Sequence, residues 1–360
     1  LNNVFTVFLG VMIFVSVLAF FAMPYLIHIV APGFDAGMQE KIIVLSRIML
    51  LSPILLGLSN LFGTITQLFQ KFFLYALSPI FYNIGILVGV VFLYPMFGIY
   101  GVVFGVVLGA LLHFVIQFSS SFGCNFSPAF NFDIDWKEIK NIALNSLPRT
   151  LGLSFNNIAL IFIIAFASFL SVGSISVFNL SFNLQSVPLI IIGVSYSVAA
   201  FPTLVKSFSK DDTSTFKRHL ISTSRQIVFW SIPVIFLFIV LRAQIVRVIL
   251  GSPTFSWENT RLVAASLAIF SVSVMAQGMI ALLSRAYYAI GNTKQPLFIN
   301  LFSSISIIIF SFLLLSVFNT SVFFRNFIES LLKVEGIHGT EVLMLPLAYS
   351  MGIIINFVIH

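Results

Sequence analysis

The residues able to do chemistry are few and sit close together along the chain. Arg149 follows Pro148 about eight residues into an apolar stretch, and 206−149−1 = 56 uncharged residues separate it from the next charge, Lys206. Inside that interval Asn156, Asn157, Asn179, Asn183 and Gln185 form the densest group of amides in the sequence. A guanidinium grips phosphate oxygens through two parallel N–H donors and keeps its charge at any physiological pH. Amides offer both donors and acceptors to a sugar or a pyrophosphate. Together these six residues are the candidate substrate-binding set. A plainer reading stands beside this one. Arg149 would snorkel to headgroups, and the amides would hydrogen-bond between helices for about 1 kcal/mol each. Pro188 and Pro202 remove backbone donors further along the same stretch and mark it as a place to bend.

Little else is equipped for catalysis. Asp35, Glu40, Glu258 and Glu341 fall at the ends of apolar runs or in connectors, and Cys124 is the only cysteine. An embedded hydrolase or glycosyltransferase needs paired carboxylates or a metal site for acid–base work. The expectation is therefore no enzyme, no catalytic residue, no metal and no cofactor. His113, alone in an apolar run, reads as a hydrogen-bonded packing residue rather than a proton relay.

The elements that must hold these groups are set by composition. Of 360 residues, 59% are hydrophobic and only 8% charged, and the mean hydropathy is +1.10. Soluble domains carry about 25% charged residues, so most of this surface has to face lipid. A crossing helix needs about 20 mostly apolar residues. Ten segments qualify, near 4–30, 41–67, 73–94, 99–121, 142–170, 174–204, 220–241, 260–288, 296–318 and 342–360. Between Lys71 and Asp133 lie 133−71−1 = 61 uncharged residues, room for two crossings joined by a tight turn at 95–98. Lys71, Lys137, Lys140, Lys206, Lys210, Lys217, Arg218 and Lys294 gather in alternate connectors, which places those connectors in the cytoplasm. The net charge of +7 thus fits anionic headgroups, and no nucleic-acid partner is expected. Residues 206–218 read as a short interfacial helix or a solvated linker. In 319–341, Phe323, Phe324, Phe327 and Leu331 are candidates to face lipid. The chain starts at Leu1 and stops at His360 inside an apolar run, which reads as a fragment.

An internal repeat organises the ten. Arg47 and Arg261 open similar runs at an offset of 261−47 = 214, and Lys71-Phe72-Phe73 is echoed by Arg285-Ala286-Tyr287-Tyr288. After three inserted residues, Pro79-Ile80-Phe81-Tyr82-Asn83 matches Pro296-Leu297-Phe298-Ile299-Asn300. Six crossings separate the copies, so both share one orientation. The fold expected is an all-α polytopic membrane protein with two parallel-repeat lobes, a plan typical of alternating-access transporters.

Several motifs resemble one family in particular. Ser146-Leu147-Pro148-Arg149-Thr150-Leu151-Gly152-Leu153-Ser154 is similar to the opening of the seventh helix in the lipid II flippase (MurJ/MviN) family. Phe166 to Leu170 and Gly173 to Ser176 resemble its following hairpin. Ala31-Pro32-Gly33-Phe34 and Tyr288-Ala289-Ile290-Gly291-Asn292-Thr293-Lys294-Gln295-Pro296 fit as well. The resemblance implies fourteen helices in two six-helix lobes plus a final pair, of which this chain holds the third to twelfth. Residues 1–122 would be the remainder of the N-terminal lobe, 123–141 a cytoplasmic connector and 142–360 the C-terminal lobe. It implies a transporter that flips lipid II, the undecaprenyl-pyrophosphate-linked peptidoglycan precursor, across the bacterial cytoplasmic membrane. Its partners would be that precursor and membrane lipids, with no oligomeric state implied. The chain departs from the family at Asn183, where an arginine is common, at Phe182, often acidic, and at Ile163, a polar or acidic position linked to a cation site in some members. The other readings are a polysaccharide-unit flippase, a multidrug exporter, or a non-transporting scaffold of the same fold.

Overall fold

The computed structural model describes residues 2–69, 72–122, 129–131, 133–253 and 255–360. The side chains of Asn2, Gln67, Leu68, Phe72, Glu138, Asn145, Pro148, Arg149 and Leu153 lie outside the described residues. Each of the ten expected segments contains a helix long and apolar enough to cross a membrane, from Asn3–Val30 to Thr340–Ile359. In lipid a backbone N–H or C=O has no water to bond, so a lone spanning segment has to be helical. The chain divides into two compact units, Leu1–Ala143 and Leu144–His360.

Unit 1 contains α1 (Asn2–Val30), α2 (Ala36–Met49), α3 (Leu51–Leu68), α4 (Phe72–Val88), α5 (Tyr94–Phe97) and α6 (Ile99–Phe122), with a π-helical segment, Gly89–Leu93, between α4 and α5. The tight turn expected at 95–98 is there, and Gly98 takes φ +58 in it. The helix α4 and the π segment pack on α6 through glycines. Gly85 and Gly89 meet Gly101, Gly105 and Gly109 so closely that a Cβ on any of the five would collide with backbone of the facing helix or its π segment. Four-residue spacing keeps such small residues on one helix face. Prolines shape the first two spans. Pro24 lacks the N–H that would bond the Phe20 carbonyl four residues earlier. Arg47 supplies the missing donor, its Nε lying 3.1 Å from that oxygen and its guanidinium 4.6 Å from the Phe20 ring centroid. Pro53 acts likewise on the second span, which is interrupted at Leu50 between α2 and α3.

The long helix α7 (Trp136–Ser168) carries the boundary between the units. It starts at Trp136 rather than near 142, because the Asp135 carboxylate accepts a hydrogen bond from the Lys137 N–H at 3.0 Å, satisfying a free helix-end donor. Unit 2 continues with α8 (Ser174–Pro188), a π-helical segment Leu189–Val194, α9 (Ser195–Ser209), α10 (Thr213–Val240), α11 (Arg242–Leu250), α12 (Trp257–Ala289), α13 (Lys294–Thr320), α14 (Val322–Leu332), a 3₁₀ turn Thr340–Leu343 and α15 (Met344–Ile359). Its centre is α12, two-thirds (67%) buried over its most apolar stretch. Phe270 of α12 packs against Phe178, Phe182 and Tyr349.

Three finer expectations met different outcomes. Residues 206–218 form no separate interfacial helix and no long linker. They are the ends of α9 and α10, joined by the three residues Lys210, Asp211 and Asp212. The turn is this short because Asp212 caps α10, accepting from the Thr215 N–H at 2.9 Å, while Asp211 adopts φ +56. Residues 319–341 contain α14, which exposes Phe323, Phe327 and Leu331 but packs Phe324 and Ile328 inward. His113 is a packing residue, its Nδ1 2.6 Å from Ser59 Oγ.

The repeat is also visible in the contacts. Ser59 of α3 bonds to His113 on α6, and Ser273 of α12 lies 3.4 Å from Ser350 on α15; 273−59 = 214, the sequence offset. Arg261, the counterpart of Arg47, likewise donates to a backbone carbonyl of a neighbouring element, that of Lys333. Pro53 corresponds to Leu267, so α12 runs unbroken where α2 and α3 part.

Candidate functional site

A cavity with a markedly polar lining lies wholly inside unit 2. It measures about 440 Å³ and its walls come from α7, the π segment, α9, α12, α13 and α15. Helical spacing explains why these residues converge. On α12, Gln277, Ala281, Ser284, Arg285 and Tyr288 recur at i, i+4, i+7, i+8 and i+11, which is one face. Asn300, Ser303 and Ser304 share a face of α13; Tyr349, Ile353 and Asn356 share one of α15; Gly152 and Asn156 share one of α7.

A chain of amides ties the walls together. Asn356 Nδ2 donates to Asn300 Oδ1 at 3.0 Å, and Asn300 Nδ2 donates to the Gly152 carbonyl at 3.2 Å. Ser303 Oγ donates to the Gly352 carbonyl at 3.0 Å. Asn156 and Tyr349 face the same cavity. Deeper in, Gln277 Nε2 donates to Gln185 Oε1 and to Ser273 Oγ, each at 3.0 Å. The charge in the wall is Arg285. Its Nη1 donates to Ser197 Oγ at 2.6 Å and to the Ala281 carbonyl at 3.0 Å, which aims the guanidinium rather than leaving it to swing. No carboxylate lines the cavity. Two buried atoms have no protein partner, Asn356 Oδ1 in the wall and Gln185 Nε2 behind it. Unpaired buried polar atoms are costly, of order 1–3 kcal/mol each. Such a lining suits a neutral polar or anionic group that can both donate and accept.

The sequence candidates divide. Asn156 lines the cavity, and Gln185, fully buried, supports Gln277 from behind. Asn157, Asn179 and Asn183 are exposed and do not line it. Arg149 belongs to α7, but its side chain lies outside the described residues. Pro188 ends α8 where the π segment begins, and Pro202 lies inside α9. Ile163 is fully buried in the apolar core. Arg285, Gln277, Asn300, Tyr349 and Asn356 were not among the candidates. Two of them carried a signal, since Arg285 and Asn300 are repeat positions matched to Lys71 and Asn83.

Comparison with known proteins places the chain. The family described as "Lipid II flippase MurJ" matches residues 1–360. A probable lipid II flippase MurJ of Rickettsia prowazekii (strain Madrid E) is 26% identical over 311 residues, covering 84% of this chain and 60% of that protein. One from Buchnera aphidicola subsp. Acyrthosiphon pisum (strain APS) is 28% identical over 312 residues, covering 84% and 61%. This chain therefore spans about 60% of the length of the curated relatives it matches. Among solved structures, a lipid II flippase MurJ in an inward closed conformation superposes with a TM-score of 0.79 at 22% identity, over 99% of this chain and 70% of that one. An inward-facing multidrug resistance MATE family transporter of the MOP superfamily gives 0.75 at 14% identity, over 99% and 79%. These two likenesses establish a shared fold. With ten membrane-length helices and bacterial relatives throughout, this is a multi-pass protein of the bacterial inner membrane. Matched by the family's model from its first residue to its last, the chain belongs to the lipid II flippase MurJ family.

Proposed function

We propose that the protein moves lipid II, the lipid-linked peptidoglycan precursor, across the inner membrane by alternating access. The observation that carries this reading is the family match over all 360 residues. The unit 2 cavity supports it chemically. The head of lipid II is rich in hydroxyls, amides and phosphate, and the wall offers paired amides, hydroxyls and one oriented guanidinium. In this proposal Arg285 attracts phosphate and Asn156, Asn300 and Asn356 exchange hydrogen bonds with the sugar and peptide portions. Gln185 holds Gln277 in place, and Arg149 adds a second cation just ahead of the membrane-length part of α7, which opens at Thr150. Asn157, Asn179 and Asn183 would then meet the head, or water around it, from the exposed faces of α7 and α8. The π segment after Pro188 and the proline at 202 give α8 and α9 a place to flex, since π segments loosen the regular ladder and recur at functional sites.

Growth complementation tests the proposal. The complete protein, expressed in bacteria depleted of their own lipid II flippase, is expected to restore growth, and Arg149→Ala is expected to abolish rescue at unchanged membrane abundance. No rescue by the unaltered protein, despite confirmed membrane expression, would move the assignment to another lipid-linked glycan.

A further inference from the structure

Separate from the transport cavity, α10 carries a basic stripe on its exposed side. Arg218, Ile221, Ser222, Arg225, Gln226 and Phe229 line a surface groove of about 850 Å³. Their spacing is i, i+3, i+4, i+7, i+8 and i+11, so they form one continuous face. All six are exposed, Phe229 by 66% and Ile221 by 52%. At the depth of the hydrocarbon an exposed arginine is expensive without an anion. Asp212, whose charge Arg218 feels, is already engaged by Thr215 and Ser214 as the helix cap.

Depth decides what the stripe can meet. Thr213–Val240 has 28 residues, about 42 Å of helix against a hydrocarbon core of about 30 Å. The excess of about 12 Å fits at the N-terminal end, where Lys206, Lys210, Lys217 and Arg218 gather. Arg218 then lies in the headgroup layer and Arg225 roughly 10 Å further along the helix. Side chains lean towards a helix N-terminus. An arginine at that depth can snorkel back towards the headgroups, which would bring its guanidinium towards the level of Arg218, with Ser222 between the two positions on the same face. Ile221 and Phe229 offer apolar surface for the acyl chains.

We propose that the α10 stripe is a binding site for the phosphodiester headgroup of an anionic membrane phospholipid, held by Arg218 and Arg225. The proposal does not depend on what the protein transports. It is tested by native mass spectrometry of the complete protein with phosphatidylglycerol or phosphatidylcholine. Each arginine near a headgroup contributes about fivefold in affinity, so the pair predicts a preference for phosphatidylglycerol of roughly 25-fold. Arg218→Ala/Arg225→Ala should abolish the preference. If that variant fails to fold, Arg225→Gln alone, at an exposed position, should reduce it about fivefold. Equal retention of the two lipids by the unaltered protein, an unchanged preference in the variants, or displacement of phosphatidylglycerol by excess inorganic phosphate would each overturn it.

Discussion

Two equivalent helix pairs, one in each unit, solve the same packing problem with different chemistry. In unit 1, α4 and α6 close on a seam of glycines. In unit 2, α13 and α15, which follow α12 as α4 and α6 follow α3, are joined by Asn356 to Asn300 and Ser303 to the Gly352 carbonyl. The glycine seam brings backbones into contact and leaves no room. The amide seam also closes tightly, with Gly352 against Ile307, but its polar side chains form one wall of a cavity of about 440 Å³. The repeated asparagine makes the point at one position. Asn83 turns back to the Pro79 carbonyl of its own helix, whereas Asn300 bridges α7 and α15. A duplicated residue inherits its place on a helix but not its partners. Those depend on what the facing helices present.

The comparison can be broken most forcefully at the glycines. Gly105→Leu should destabilise unit 1 by about 3 kcal/mol, because its new side chain meets the Gly89 backbone, which cannot yield. Gly10→Leu, where a Cβ meets nothing within 4 Å, should stay within about 0.5 kcal/mol. Thermal unfolding of the purified protein in detergent would read both, and equal midpoints would refute the seam.

A smaller effect sharpens the asparagine contrast. Asn300→Leu strands the Gly152 carbonyl and the Asn356 amide and should cost about 1–2 kcal/mol. Asn83→Leu, on an exposed face, should cost under about 0.5 kcal/mol. Equal losses would mean that the amide network adds nothing beyond its own helix.

The smallest effect concerns the cap joining α9 and α10. The hydroxyl and N–H of Thr215 and the hydroxyl of Ser214 hold the Asp212 carboxyl down at about 2, from an ordinary 3.8. A carboxylate with a lowered folded pKa lends stability above its unfolded value and loses it as pH falls through the folded one. Hydrogen exchange at the Thr215 amide should therefore show the same protection at pH 7 and pH 5, once corrected for intrinsic rates. It should lose protection only towards pH 2, and Asp212→Ala should lose it at every pH. Loss of protection between pH 7 and pH 5 in the unaltered protein would contradict the assignment.

Much of the fold was legible because lipid permits so few backbone solutions. Apolar runs of spanning length located all ten spans, and the repeat followed from ordered matches such as Arg47 with Arg261. The site was less legible. Counting amides along the chain favoured Asn157, Asn179 and Asn183, which are near in sequence yet exposed. The residues that converge come from four distant spanning helices and meet only through helix-face geometry, as with Asn156, Gln277, Asn300 and Asn356. Residues 206–218 misled for a local reason, because Ser, Thr and charges read as linker while Asp212 was capping a long helix.

The most direct test of the account follows the precursor itself. In cells depleted of their own flippase, a periplasm-confined enzyme that cleaves lipid II would report what reaches the outer leaflet. The account predicts that the complete protein restores cleavage and that Arg285→Gln, at equal membrane abundance, does not. Absence of cleavage with the unaltered protein present in the membrane would contradict the transport reading, and full cleavage with Arg285→Gln would contradict the role of the unit 2 cavity.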